Sequence, residues 1–140
     1  MAKLICLMPT YNKEDTLVKA IESVMMQKAD FEYKLFILDD CSTDSSNKIA
    51  QIYKEKYPGK IEIFRNEKNL KLLRTIMKGY KLLKGADYFC VLDADDWYIY
   101  DKKFADAVEF LDNNLTYSMY MTNIIQKSED SQIKCYKGTN

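Results

Sequence analysis

Short apolar runs alternate with amphipathic segments along most of this chain, and that alternation limits the folds open to it more than any other feature. Leu4 to Met8 is almost continuously apolar, as in a strand buried on both faces, and it is expected to stop at Pro9, which has no N–H for a sheet ladder. Residues 14–27 place Leu17, Ile21, Val24 and Met25 on one face of a helix. Tyr33 to Leu38 reads as a second strand running into Asp39-Asp40, and Ser42-Thr43-Asp44 suits the start of a second helix with Ile49, Ile52 and Tyr53 inward. Pro58-Gly59 ends that helix. Lys60 to Phe64 is then a third strand, Leu70 to Leu83 a third helix closed by Gly85, and Tyr88 to Leu92 a fourth strand. A fourth helix over 101–113 and a fifth strand over Thr116 to Ile125 follow, with the polar stretch Lys127 to Asn140 read as a hairpin or the start of a further element. Strands alternating with helices of this length predict βαβ units: a Rossmann-like, three-layer α/β/α fold with a mostly parallel sheet.

Bulk properties narrow the class. At 140 residues the chain has the length of one domain and can bury roughly 70% of its unfolded surface. Its apolar fraction of 47% and charged fraction of 30% are those of a globular protein. There is no run long enough to cross a bilayer and no signal-peptide pattern, so a cytoplasmic location is expected. Basic and acidic residues balance at 21 each, which gives no field to draw the chain to nucleic acid. The four cysteines form no C-x-x-C pair, and Cys6 and Cys90 fall within apolar runs as small core residues. With no histidine in the chain, Ser-His and Cys-His nucleophiles are excluded and carboxylates become the candidates for metal binding.

A parallel sheet delivers the residues that follow its strands to one edge, where open α/β sheets bind ligands. Here those residues are Pro9-Thr10-Tyr11-Asn12, Asp39-Asp40 and Asp93-Ala94-Asp95-Asp96. They offer an aromatic face, a carboxylate pair able to accept bonds from a base edge, and an acidic cluster. Carboxylates this dense repel one another unless a cation or a wide solvent shell intervenes, and oxygen-only ligands favour Mg²⁺ or Mn²⁺, which take one or two protein carboxylates beside phosphate oxygens. A metal-bridged nucleoside diphosphate fits all three parts.

The segments "MPTYNKEDTLVKAIESVMMQ", "FILDDCSTDSS" and "YFCVLDADDW", in this order and spacing, resemble the nucleotide-binding half of family 2 glycosyltransferases with the GT-A fold, over about residues 3–125. The resemblance implies transfer of a sugar from a nucleotide sugar, by preference a UDP-sugar, to a hydroxyl of a saccharide or lipid-linked acceptor, commonly with inversion and with Mn²⁺ or Mg²⁺. Within it, Thr10 and Tyr11, with Pro9 and Asn12 beside them, match the loop whose tyrosine packs on uracil, and Asp40, with Asp39 next to it, matches the acid that reads the uracil edge. Asp93 matches the first D-x-D acid, usually facing the ribose but also a metal-ligand candidate. Ala94 lies between the two, Asp95 matches the acid that coordinates the metal and is the catalytic candidate, and Asp96 supports them.

The chain also departs from the family pattern. Cys41 stands where glycine is frequent and is expected to impose an ordinary backbone conformation. "LKLLRTIMKG" replaces a glycine-rich stretch, placing Lys71, Ile76 and Met77 at positions where Gly, Arg and Asn are frequent and leaving Arg74 as the substitute donor contact. Residues 1–140 are thus expected to be a donor domain, with the acceptor-binding part and general base outside this chain. A second copy would cover any core face left open, and membrane association, if any, would run through those outside parts. The same residues also admit a non-catalytic nucleotide- and metal-binding assembly module. Glu14 reads as a first-turn helix charge, and Trp97 as packing under a helix.

Overall fold

The computed structural model describes residues 2–122, 124–127 and 133–136. The chain divides into two compact units, Met1–Phe104 and Ala105–Asn140, where length alone predicts one. In the first unit the elements run β1 (Leu4–Thr10), α1 (Leu17–Met25), β2 (Tyr33–Asp39), α2 (Ser46–Lys56), β3 (Ile61–Arg65), α3 (Leu72–Tyr80) and β4 (Tyr88–Val91), and α4 (Lys103–Asn113) begins at its end. The four strands form one sheet in the order β3-β2-β1-β4, every pair parallel. Among the described residues, no helix is long and apolar enough to cross a membrane.

Topology decides which helix covers which face. The steps from β1 to β2 and from β2 to β3 move the same way along the sheet, so right-handed crossovers put α1 and α2 on one face; the return from β3 to β4 puts α3 on the other. Because side chains alternate along a strand, Ile5, Leu7, Phe36 and Leu38 face α3 and cluster with Phe64, Leu82 and Leu83. Leu4, Cys6, Met8, Leu35 and Ile37 are buried on the opposite face, where α1 buries Leu17, Ala20, Ile21 and Val24. Glu22 links α1 to α2, accepting hydrogen bonds from Tyr53 Oη at 2.9 Å and Lys56 Nζ at 2.8 Å.

Helix α3 approaches the sheet through Gly79. A Cβ there would lie 2.5 Å from Leu38 Cδ1 and 3.2 Å from Leu7 Cδ1, and both leucines are buried. The Gly79→Ala change gains about 1 kcal/mol of helix propensity but overpacks this contact by about 1–3 kcal/mol. A net loss of about 1 kcal/mol is expected in urea unfolding, and a stabilised variant would mean the contact relaxes freely.

Two sequence expectations are corrected. Strand β1 does not stop at Pro9 but continues through it to Thr10, pairing Pro9 with Leu38 and Thr10 with Asp39. The Leu7 carbonyl points to the β4 side, where it accepts from Leu92 N–H, and in a parallel strand residue 9 points the same way. Strand β4 has ended at Val91, opposite Leu7, so the N–H that Pro9 lacks has no ladder partner to lose. The second correction concerns the fifth strand. Residues 116–122 are not strand; pairing begins at β5 (Ile124–Lys127), which lies antiparallel to β6 (Ile133–Tyr136) in a separate two-stranded sheet. Leu115, Tyr117, Met119 and Met121 alternate as a strand would, yet all four are exposed, so the period reflects no buried face. Of the polar stretch from Lys127 onward, read as a hairpin or the start of a further element, β6 pairs with β5, which begins before that stretch, and 128–132 and 137–140 lie outside the described residues. In this second unit Phe110 packs its ring 5.5 Å from Tyr117 and 5.4 Å from Tyr120.

Candidate functional site

The loops after β1, β2 and β4 meet at the carboxyl edge of the sheet around an open cavity of about 350 Å³. Of the residues singled out from sequence, Pro9, Thr10, Tyr11, Asp40, Asp93, Ala94 and Asp95 line it; Asn12, Asp39 and Arg74 do not. Lys13, Lys71, Leu72 and Thr75 complete the lining. Tyr11 is 43% exposed where it lines the cavity, whereas Thr10 is buried and donates its hydroxyl to the Met8 carbonyl.

Asp40 is buried, and its carboxylate organises one wall. Asn66 Nδ2 and Leu70 N–H donate to Oδ1 at 2.8 and 2.7 Å, and Lys71 N–H donates to Oδ2 at 2.8 Å. Burial pushes this carboxyl up, but hydrogen bonds from Leu70, Asn66, Thr75 and Lys71 outweigh it and hold the pKa below the ordinary value. With the bonds from Asn66, Leu70 and Lys71 in place, at most one of about four acceptor positions is left, and the Thr75 hydroxyl competes with a ligand for it. Asn66 extends the network, donating also to Thr75 Oγ1 at 3.0 Å and accepting from Lys78 Nζ at 2.9 Å. Nothing in the residue pattern marks Asn66 beyond its place just after a strand.

Asp39 is turned away from the cavity. Its oxygens accept from Ser42 N–H at 2.9 Å and Asn47 Nδ2 at 3.0 Å, and pair with Arg65 at 2.9 Å. The adjacent acids therefore do not act as a pair, because consecutive residues leaving a strand point to opposite sides. Asn12 is a latch between loops: its N–H donates to Ser42 Oγ at 3.1 Å, and its Oδ1 accepts from Thr43 N–H at 2.8 Å. Glu14, read as a charge in the first turn of its own helix, instead accepts from Ser45 N–H at 2.9 Å at the start of α2.

Cys41 does not impose an ordinary backbone. Its φ is +64°, the left-handed conformation that glycine adopts freely. The turn geometry is fixed by Asp39 and Asp40 on either side of the β2 exit, and the cysteine bears the strain. Cys41→Gly is expected to stabilise the protein by about 1 kcal/mol in urea unfolding, the steric relief exceeding the entropy lost by glycine. Lys71 is more extreme, with φ +70° and ψ 160°, a region almost confined to glycine. Its N–H is held by Asp40 Oδ2 and by Asn69 Oδ1 at 3.0 Å, and the residue lines the cavity. Arg74 lies in a neighbouring depression with Lys68, Asn69, Leu70, Lys71 and Leu73.

The DADDW loop forms the opposite wall. Thr16 Oγ1 donates to the Ala94 carbonyl at 2.8 Å, and Asp96 N–H closes a turn onto the Asp93 carbonyl at 2.9 Å. Asp96 itself does not line the cavity. Burial, then the negative charges of Asp95 and Asp96, push the Asp93 carboxyl above its ordinary value. The Asp95 carboxyl is lowered, chiefly by a hydrogen bond from Lys13 Nζ at 2.6 Å. Trp97 carries Lys19 Nζ 3.5 Å from its ring centroid, so it packs on the α1 side rather than in the cavity.

These acids fit a hard divalent cation that arrives with phosphate. Among the described residues, no group of three or more Cys, Asp or Glu side chains is placed to hold an ion alone. Asp93 is raised first by burial and then by the charges of Asp95 and Asp96; this second, repulsive part is what such a cation would relieve, and Mg²⁺ and Mn²⁺ sites commonly use only one or two carboxylates with substrate phosphates.

An aromatic residue, a buried acid and an acidic loop thus converge outside the carboxyl edge of an open parallel α/β sheet, the place where ligands of such sheets bind. The chain belongs to Glycosyl transferase family 2, whose profile matches residues 5–136. It is 29% identical over 123 residues to the putative glycosyltransferase EpsE of Bacillus subtilis, covering 88% of this chain and 43% of that protein. It thus spans less than half of that relative. Residues 1–349 of S. aureus TarS in complex with UDP-GlcNAc superpose with a TM-score of 0.71 at 26% identity, covering 81% of this chain and 32% of the other. The mannosyltransferase PcManGT of Pyrobaculum calidifontis, in complex with GDP-Man and Mn²⁺, shares the fold with a TM-score of 0.70 at 17% identity, covering 79% of this chain and 32% of the other.

Proposed function

We propose that this chain binds the donor of a glycosyltransferase that moves a sugar from a nucleoside-diphosphate sugar, a UDP-sugar by preference, to an acceptor hydroxyl with inversion. The observation that carries this reading is the convergence of Tyr11, Asp40, Asp93 and Asp95 on one cavity from three separate loops. In it the exposed ring of Tyr11 stacks on the base, the remaining acceptor position of Asp40 reads the base edge, and Asp93 faces the ribose. Asp95, with Asp93 beside it, holds a Mn²⁺ or Mg²⁺ ion. Bound there, the cation stabilises the charge that develops on the departing diphosphate. The TarS complex with UDP-GlcNAc supports the choice of uridine, and the PcManGT complex with Mn²⁺ supports the choice of metal.

Calorimetric titration of UDP with and without Mn²⁺, against ADP and GDP, tests the reading. Micromolar binding that is selective for UDP and strengthened by Mn²⁺ is expected. Equal affinity for the three nucleotides would remove the uridine assignment, and absence of binding would favour an assembly module without a donor site. Tyr11→Ala should weaken UDP binding by about 1–3 kcal/mol, the range for a base stacked on an aromatic ring. An unchanged affinity in that variant would place the base elsewhere.

A further inference from the structure

Lys13 is a cavity-lining cation that the donor reading leaves without a role. Its ammonium sits on Asp95 Oδ2 at 2.6 Å, so it occupies the carboxylate that a divalent cation would need. Both backbones are fixed. Lys13 N–H donates to Ser46 Oγ at 2.8 Å, and its carbonyl accepts from Thr16 and Leu17 N–H at 3.1 and 2.8 Å. Thr16 then ties the Ala94 carbonyl next to Asp95, so the pair is a meeting of two free side chains on anchored loops.

The two side chains are 38% and 47% exposed, the regime in which an ion pair is weak and exchanges readily. A lysine ammonium is a single, strongly hydrated charge on a flexible stem, able to swing away without moving the backbone. Against a divalent cation whose remaining shell is filled by phosphate oxygens, it loses the competition for Asp95. Against a nucleotide without metal, it is itself a positive charge available to the diphosphate.

We propose that Lys13 is a displaceable counter-ion. It neutralises Asp95 in the free cavity, releases that carboxylate when a nucleoside diphosphate enters with its divalent cation, and turns to the diphosphate. The inference rests on the donor-site reading and adds a coupling to it: Lys13 keeps metal binding weak until nucleotide arrives. It also gives two effects of opposite sign when the charge is removed, which a merely structural lysine would not do.

Mn²⁺ titration without nucleotide, followed by the paramagnetic resonance of the free ion, and calorimetry of UDP in EDTA test this on the intact chain. Lys13→Met should bind Mn²⁺ about three- to tenfold more tightly than the native protein and metal-free UDP more weakly by a similar factor. Lys13→Arg, which keeps the charge, should stay near the native values. Equal or weaker Mn²⁺ binding by Lys13→Met overturns the exchange, and if both proteins still bind UDP with Mn²⁺ the donor site itself stands. Failure of the native protein to bind UDP with or without Mn²⁺ overturns the donor reading and the exchange together.

Discussion

Replacing Asp95 by alanine is expected to abolish the metal-dependent part of UDP binding while leaving the protein as stable as before, within about 0.5 kcal/mol. The side chain is 47% exposed and its ion pair with Lys13 is at the surface, so its removal opens no cavity and strands no buried charge. Its cost falls on the ligand, because the remaining cavity acids, Asp93 and Asp40, differ from it in kind. Asp93 is partly buried with a raised pKa, and Asp40 already accepts from three protein donors. Calorimetry of UDP with Mn²⁺ beside thermal unfolding separates the two effects. Undiminished metal dependence in Asp95→Ala would remove Asp95 from the metal site, and a large fall in melting temperature would make it a structural residue.

The second large effect is expected at Asp40, and there stability and binding should fall together. Asp40→Ala leaves the Leu70 N–H without its acceptor and takes from Asn66 Nδ2 and the Lys71 N–H one of the two acceptors each has, a loss of about 3–5 kcal/mol at about 1–3 for the stranded donor and about 1 for each of the other two bonds. The loop at 66–71 would lose the anchor that holds Lys71 in its strained conformation, and the cavity wall with it. Asp40→Asn keeps the shape and one acceptor oxygen, so it should lose less. The folded pKa of Asp40 lies below its unfolded value near 3.9, so its carboxylate adds stability at neutral pH. That contribution is lost as the pH falls through the folded value. Acid unfolding of Asp40→Asn should therefore show a shallower dependence on pH in that range, and an unchanged slope would mean that Asp40 does not carry it.

Much of this was legible in the residue pattern. Apolar runs of strand length between amphipathic stretches are enough to specify four parallel strands and their helices, because burial on both faces leaves a parallel strand almost no polar positions. The same regularity places the ends of β1, β2 and β4 on one edge, which is why Tyr11, Asp40 and Asp95 could be chosen without coordinates. Local sequence went wrong where the outcome depends on a neighbour. Pro9 stays in a strand because β4 has already ended beside it. Thr116 to Ile125 has the period of a strand, but its regular pairing starts only at Ile124.

The sequence by itself determined the class of fold, the sheet edge at which the candidate residues meet and the types of residue gathered there, since each follows from periodicity along a single segment. Only the tertiary structure decided what each acid does. It gave Asp39 to Arg65, spent Asp40 on the loop before α3, paired Asp95 with Lys13, and held Cys41 and Lys71 at positive φ. Those outcomes depend on hydrogen bonds and ion pairs between residues up to 82 positions apart. No local period encodes them, because the energy of a polar group is set by whichever partner the fold brings within about 3 Å of it.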